Sequence, residues 1–253
     1  MTRIICVASG KGGVGKTTVV ANIATALTEL EQSVVVIDSN MHTSNLGLHL
    51  GIPLYPITLQ DVLKGKAKIR DALYHHPNGF RVIPADISLA KRMTVKPKQL
   101  MSVIYKLIGD ADFIIIDAMA GLGQEALSAI EVADEMITVT NPELPALTDA
   151  FKLNKVAEEV DTYNIGVVVN RVKREAHEFS REGVKEFLNL PIIGTVHEDS
   201  NVRKAIGNKE PVVSYRPGSR SSREFRAIAE TLITGEYQRP RYNFKQKMSN
   251  WFK

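Results

Sequence analysis

Apolar residues along this chain fall into two alternating patterns. Short, nearly unbroken apolar runs occupy 4–8, 34–37, 80–83, 113–116, 136–140, 165–169 and 192–196. Unbroken runs of this length predict strands covered on both faces, as in a parallel sheet flanked by helices. Between them the apolar positions recur every three or four residues. Val20, Ile23, Leu27 and Leu30 share one face of a predicted helix. A second helix is predicted over 97–108, with Pro97 in its first turn, and a third over about 145–160. A fourth is predicted after Ser221, whose spacing to Glu224 reads as a capping box ahead of Phe225, Ile228, Ala229 and Leu232. Strand–helix alternation over some 230 residues predicts an α/β fold: a single doubly wound, mostly parallel sheet flanked by helices. That domain is expected to span 1–235. A linker over 236–242 and a C-terminal amphipathic helix over 243–253 are expected to follow.

The first strand leads into Gly10-Lys11-Gly12-Gly13-Val14-Gly15-Lys16-Thr17. This segment fits G-x-x-x-x-G-K-[ST] throughout and lies between a predicted strand and a predicted helix, the context a P-loop requires. Its glycines let the backbone curl so that consecutive N–H groups face phosphate oxygens, and the helix start adds partial positive charge. Lys16 is expected to reach the β- and γ-phosphates, with the Thr17 hydroxyl on Mg²⁺. The cofactors expected are therefore ATP and Mg²⁺.

A second lysine inside the loop, Lys11, is more than a simple P-loop needs. The stretch from Lys11 to Thr18 resembles the deviant Walker A motif of the MinD/ParA family of ATPases, and the resemblance continues along nearly the whole chain. Val34-Val35-Val36-Ile37-Asp38 with Asn45-Leu46-Gly47-Leu48 is similar to that family's switch I region. The segment from Phe113 to Gly121 is similar to its Walker B strand and switch II, and Asn141-Pro142-Glu143 also fits. The resemblance implies a P-loop ATPase, closest to MinD, that forms a homodimer on ATP. Lys11 would be the lysine that crosses to the partner's phosphates, and Asp117, with Asp38 beside it, would join Thr17 at the metal. Asn170 would contact the base, with Arg171 next to it.

Three positions depart from the family's pattern. Asn40 stands where a second switch I aspartate is usual; an amide can orient a water but cannot take a proton at neutral pH. Slow hydrolysis is therefore expected, with Lys11, Lys16, Asp38 and Asn40 as the catalytic set. Met119 replaces a frequent switch II proline, and His197 stands where proline is usual beside the base. No catalytic role is expected for His197.

Charge matters only through its distribution. The formal net charge is +4, yet 239–253 alone carry five basic residues and no acidic one. Within that tail Phe244, Met248, Trp251 and Phe252 fall within an arc of about 100° on a helix, and Lys245 and Lys247 flank it. Asn243 is a plausible N-cap. This pattern predicts an interfacial helix for an anionic membrane surface, and MinD proteins end in a comparable targeting helix. The expected location is cytoplasmic, peripheral to the inner face of the cell membrane. An unidentified protein activator or effector is also expected. Two alternatives stay open. One is ParA-like DNA or cargo partition through Arg203, Lys204, Arg216, Arg220, Arg223 and Arg226; the other is a nucleotide-gated adaptor that scarcely hydrolyses ATP. Iron–sulfur carriage is disfavoured, because Cys6 is the only cysteine.

Overall fold

In the computed structural model, which describes residues 2–41, 44–52, 55–87 and 96–235, every apolar run becomes a strand. These are β1 (Arg3–Ala8), β2 (Val34–Asp38), β4 (Arg81–Ile83), β5 (Phe113–Asp117), β6 (Glu135–Thr140), β7 (Tyr163–Val172) and β8 (Ile192–His197). The sequence pattern missed β3 (Tyr74–His75), a two-residue edge strand too short to show a period. The sheet order is β3-β4-β2-β5-β1-β6-β7-β8, and only the β3–β4 pairing is antiparallel.

Alternation along each strand divides the core in two. Ile5, Val7, Val34, Val36 and Ile115 point to one face, where α1 (Lys16–Glu29) and α10 (Arg220–Thr234) pack. Ile4, Cys6, Val35, Ile37 and Ile114 point to the other, beneath α3 (Leu59–Leu63), α4 (Pro97–Ile104), α5 (Gln124–Glu131) and α6 (Leu144–Glu159). Both faces are therefore dry, which is why the strands read as nearly continuous apolar runs. Burying each such side chain contributes about 1.5–3 kcal/mol. The helix predicted over 97–108 is α-helical only to Ile104 and tightens to a 3₁₀ turn over Tyr105–Leu107.

The predicted cap of α10 is corrected. Ser219, not Ser221, is the N-cap: its backbone is extended and its Oγ accepts from the Ser222 N–H at 3.1 Å. Ser221 lies inside the first turn and donates its hydroxyl to Asp199 at 2.9 Å. Glu224 is drawn instead to His197, whose N–H it accepts at 2.9 Å. Tertiary partners took both side chains that local spacing had paired. The linker 236–242 and the tail helix 243–253, with Phe244, Lys245, Lys247, Met248, Trp251 and Phe252, lie outside the described residues.

Candidate functional site

The carboxyl ends of β1, β2, β5 and β7 meet along one edge of the sheet, where open α/β folds place their ligands. From β1 the chain turns through residues 9–15 directly into α1. Gly13 (φ +80) and Gly15 (φ +89) hold left-handed backbone that L side chains resist. A side chain on Gly15 would also strike Asn170, and one on Gly10 would strike the backbone of Asp149 in α6. The loop is thus wedged between α6 and the end of β7, with Val14 buried beneath it.

Inside the loop's curve is a cavity of about 360 Å³, lined by Gly12, Lys16, Thr17, Asn40, Asn45 and Met119 among others. Ser9 also lines it, and its buried Oγ finds no hydrogen-bond partner among the described residues. An orphaned hydroxyl beside curled backbone and a lysine fits a polyphosphate with its metal. Lys16, nearly buried, places Nζ 2.7 Å from Asp117 Oδ1, and the Thr17 hydroxyl donates to Asp117 Oδ2 at 2.8 Å. Thr17 and Asp117 are therefore already together, as a shared metal requires.

Asp38 and Asp117 are partners in the parallel register of β2 and β5, both buried. Burial, followed by the neighbouring Asp117 charge, pushes the Asp38 carboxyl up to about 7, against hydrogen bonds from Ser44 Oγ (2.6 Å) and the Asn40 N–H (2.9 Å). A carboxyl raised in the folded state favours folding most below its unfolded value, near 3.8, and that contribution is lost as pH rises towards 7. The nucleotide-free protein is expected to lose about 2 kcal/mol between about pH 5 and pH 8 through this group. Urea unfolding across that range should show a shallower fall in Asp38→Asn; parallel curves would contradict the assignment.

A second cavity, about 270 Å³, shares Gly13, Gly15 and Thr18 with the first and continues past the loop. Val196, Val202, Ile206 and Phe225 supply apolar wall. Asn170 stands at its mouth, donating Nδ2 to the Val14 carbonyl at 2.7 Å, which ties β7 to the P-loop. Arg171 pairs with Glu198 at 2.9 Å and reaches the Gly13 carbonyl. Both residues lie within β7 rather than after it, with Arg171 at φ +60. His197 also lines this cavity. Its Nδ1 is 2.7 Å from Glu224 Oε1 and its Nε2 is 2.7 Å from an Arg220 nitrogen. Arg220 can only donate, so Nε2 accepts and Nδ1 carries the proton given to Glu224. Val202, Ile206 and Phe225 could not be recognised as site residues from local pattern, because they come from α8 (Ser200–Gly207) and α10, far along the chain.

Lys11 is exposed at the apex of the loop and is in no hydrogen bond or ion pair with another described residue. Three of the six basic residues that a nucleic-acid face would need are engaged within the chain. Arg220 pairs with Glu224 at 2.9 Å, Arg223 donates to the Gly218 carbonyl at 2.8 Å, and Arg226 grips Glu29 at 2.7 and 3.1 Å.

A family model for ParA, described as the NUBPL iron-transfer P-loop NTPase, matches residues 1–233. The chain belongs to the ParA family of P-loop NTPases. Membership brings the family's cofactors, ATP and Mg²⁺. An uncharacterized ATP-binding protein of Methanocaldococcus jannaschii is 42% identical over 238 residues, covering 94% of this chain and 90% of its own. The septum site-determining protein MinD of Thermotoga maritima is 32% identical over 241 residues, covering 92% and 88%. The Pyrococcus horikoshii MinD structure with Mg-ADP superposes with a TM-score of 0.88 at 36% identity, covering 93% of this chain and 98% of that one. Within the ParA family this ATPase therefore sits close to MinD. Cys6 is buried in β1, and among the described residues no three His, Cys, Asp or Glu gather to hold a metal.

Proposed function

We propose that this ParA-family ATPase is a MinD-like switch: ATP pairs two copies, pairing strengthens attachment to an anionic membrane, and hydrolysis releases it. Such a cycle would position division or other cellular machinery. The observation that carries the reading is the contrast between the two loop lysines. Lys16 is sunk in its own chain's phosphate cavity beside Asp117, whereas Lys11 is exposed and uncommitted. An exposed, unpaired cation next to a phosphate cavity is suited to a second copy's phosphates.

In this reading the backbone N–H groups of Gly10 to Thr18 wrap the phosphates, and Lys16 neutralises the β- and γ-oxygens. Thr17 and Asp117 hold the metal, with Asp38 behind them, and Asn40 orients the attacking water. Asn170 and Arg171 would border the base, and Val202, Ile206 and Phe225 would supply an apolar wall for it. Phosphoryl transfer has a loose transition state, so positioning and charge matter more than a strong base. Hydrolysis is accordingly slow, and Asn40→Asp is expected to accelerate single-turnover hydrolysis by about tenfold. An unchanged rate would remove Asn40 as the limiting group and favour an adaptor that scarcely turns over.

Among the described residues no helix is long and apolar enough to cross a membrane. Attachment would rest on the 243–253 segment, where one short amphipathic helix binds weakly and two on one dimer act together. Sedimentation with anionic vesicles tests this: the full chain is expected to pellet with ATP and not with ADP, and a chain ending at residue 242 to pellet with neither. Equal pelleting of both chains would end the membrane proposal. The internal pairing of Arg220, Arg223 and Arg226 counts against the DNA-partition alternative.

A further inference from the structure

On the face of the sheet opposite α1 and α10, the chain leaves α3 through Lys64-Gly65-Lys66-Ala67-Lys68-Ile69-Arg70. This segment and α4 enclose a groove of about 720 Å³. Lys68 and Arg70 line one side; Gln99, Ser102 and Lys106 line the other, at the spacing of a single helical face. Exposed Lys64 and Lys66 adjoin these residues in the chain, and no described residue forms an ion pair with them, with Lys68 or with Lys106.

The nearby acids do not neutralise this rim. Asp71 accepts the Lys68 N–H at 3.0 Å and Asp61 caps Thr58, both as local helix caps. The Arg70–Asp110 pair is 3.7 Å apart and exposed, so it contributes little. Beneath the rim the surface is apolar: Val62, Ile69 and Val103 form the floor, with half-buried Leu63 and Ala67 beside them. Positive charge, unpaired at Lys68 and Lys106 and only weakly paired at Arg70, thus borders a concave apolar floor.

Three anionic partners compete for such a surface. A bilayer is flat on this scale and would leave the concave floor empty. Single-stranded nucleic acid binds through aromatic platforms, and no aromatic residue lines the groove. A peptide segment with apolar anchors flanked by Glu or Asp matches floor and rim together, the usual arrangement when an amphipathic helix enters a groove. We infer that the groove between α3 and α4 docks an acidic, amphipathic segment of a partner protein. This inference stands apart from the nucleotide and membrane proposals, because it uses none of their residues.

The test is fluorescence anisotropy on the full chain with a labelled synthetic peptide of about 16 residues, glutamate on one helical face and leucine on the other. The wild-type chain is expected to bind it, and Lys68→Glu/Arg70→Glu/Lys106→Glu to weaken binding by about tenfold or more with ATP hydrolysis unchanged. The charge-neutral pair Lys68→Gln/Lys106→Gln, which risks no new repulsion in the fold, should weaken it by about threefold. A serine-for-leucine peptide should bind several-fold more weakly. Failure of the wild-type chain to bind, or equal binding by the charge-reversed and neutral variants, overturns the inference. So does equal binding of the serine peptide. Duplex DNA and anionic vesicles run in parallel: if the substitutions abolish binding to either and leave the peptide unaffected, the groove belongs to that partner and the inference is wrong.

Discussion

Lys16→Met is expected to reduce single-turnover ATP hydrolysis by about a thousandfold or more, and also to destabilise the protein before any nucleotide is added. The two losses have one origin. The Lys16 ammonium is nearly buried at 2.7 Å from Asp117, and Asp117 shares its strand register with Asp38. Without the cation the Asp117 carboxylate is left buried beside the protonated Asp38 carboxyl, and breaking a buried pair from one side costs about 3 kcal/mol. Adding Asp117→Asn to Lys16→Met removes the stranded charge, so the double variant should recover much of the unfolding free energy while hydrolysis stays lost. If the single variant were as stable as the wild type in urea, the Lys16–Asp117 pair would not be holding this corner of the fold.

Lys11→Ala should behave in the opposite way. Lys11 is exposed and uncommitted, so its removal is expected to change unfolding free energy by less than about 0.5 kcal/mol. ATP affinity of the single chain should stay within severalfold, because Lys16, Thr17 and the loop backbone are untouched. Turnover, however, should fall by about a hundredfold to a thousandfold, since removing one preorganised charge aimed at developing phosphate charge costs roughly 2.7–4 kcal/mol. Nucleotide binding by fluorescence, set beside turnover on the same preparation, separates the two quantities. Wild-type turnover in Lys11→Ala would reduce it to a solvated loop lysine.

The contrast between these two lysines also marks how far the sequence could be read. Lys16 and Thr17 were legible because a P-loop is local: eight consecutive residues carry the whole motif, and a strand before and a helix after it follow from periodicity. Asp38 and Asp117 came from resemblance, and the structure sets each as the last residue of a buried strand at the ligand edge. The raised Asp38 carboxyl was not legible, since it depends on β2 lying beside β5, a pairing between residues far apart in the chain. The second cavity was half legible. Asn170 came from resemblance, but its bond to the Val14 carbonyl arises only when β7 lies beside the P-loop, and the wall of Val202, Ile206 and Phe225 only when α8 and α10 come together. The misplaced cap of α10 has the same cause: Asp199 and His197, distant in sequence, claimed Ser221 and Glu224. The 64–70 segment carried its alternating charge in plain view, yet without the packing of α3 against α4 nothing distinguished it from an ordinary solvated turn.

Light scattering under three conditions tests the central claim, that ATP itself joins two copies through Lys11. With magnesium and an ATP analogue that resists hydrolysis, the mass should be twice the 28.0 kDa of one chain. With ADP, or with Lys11→Ala and the analogue, it should be that of a single chain. A single-chain mass for the wild type at saturating analogue, or a doubled mass that survives Lys11→Ala, would contradict the account.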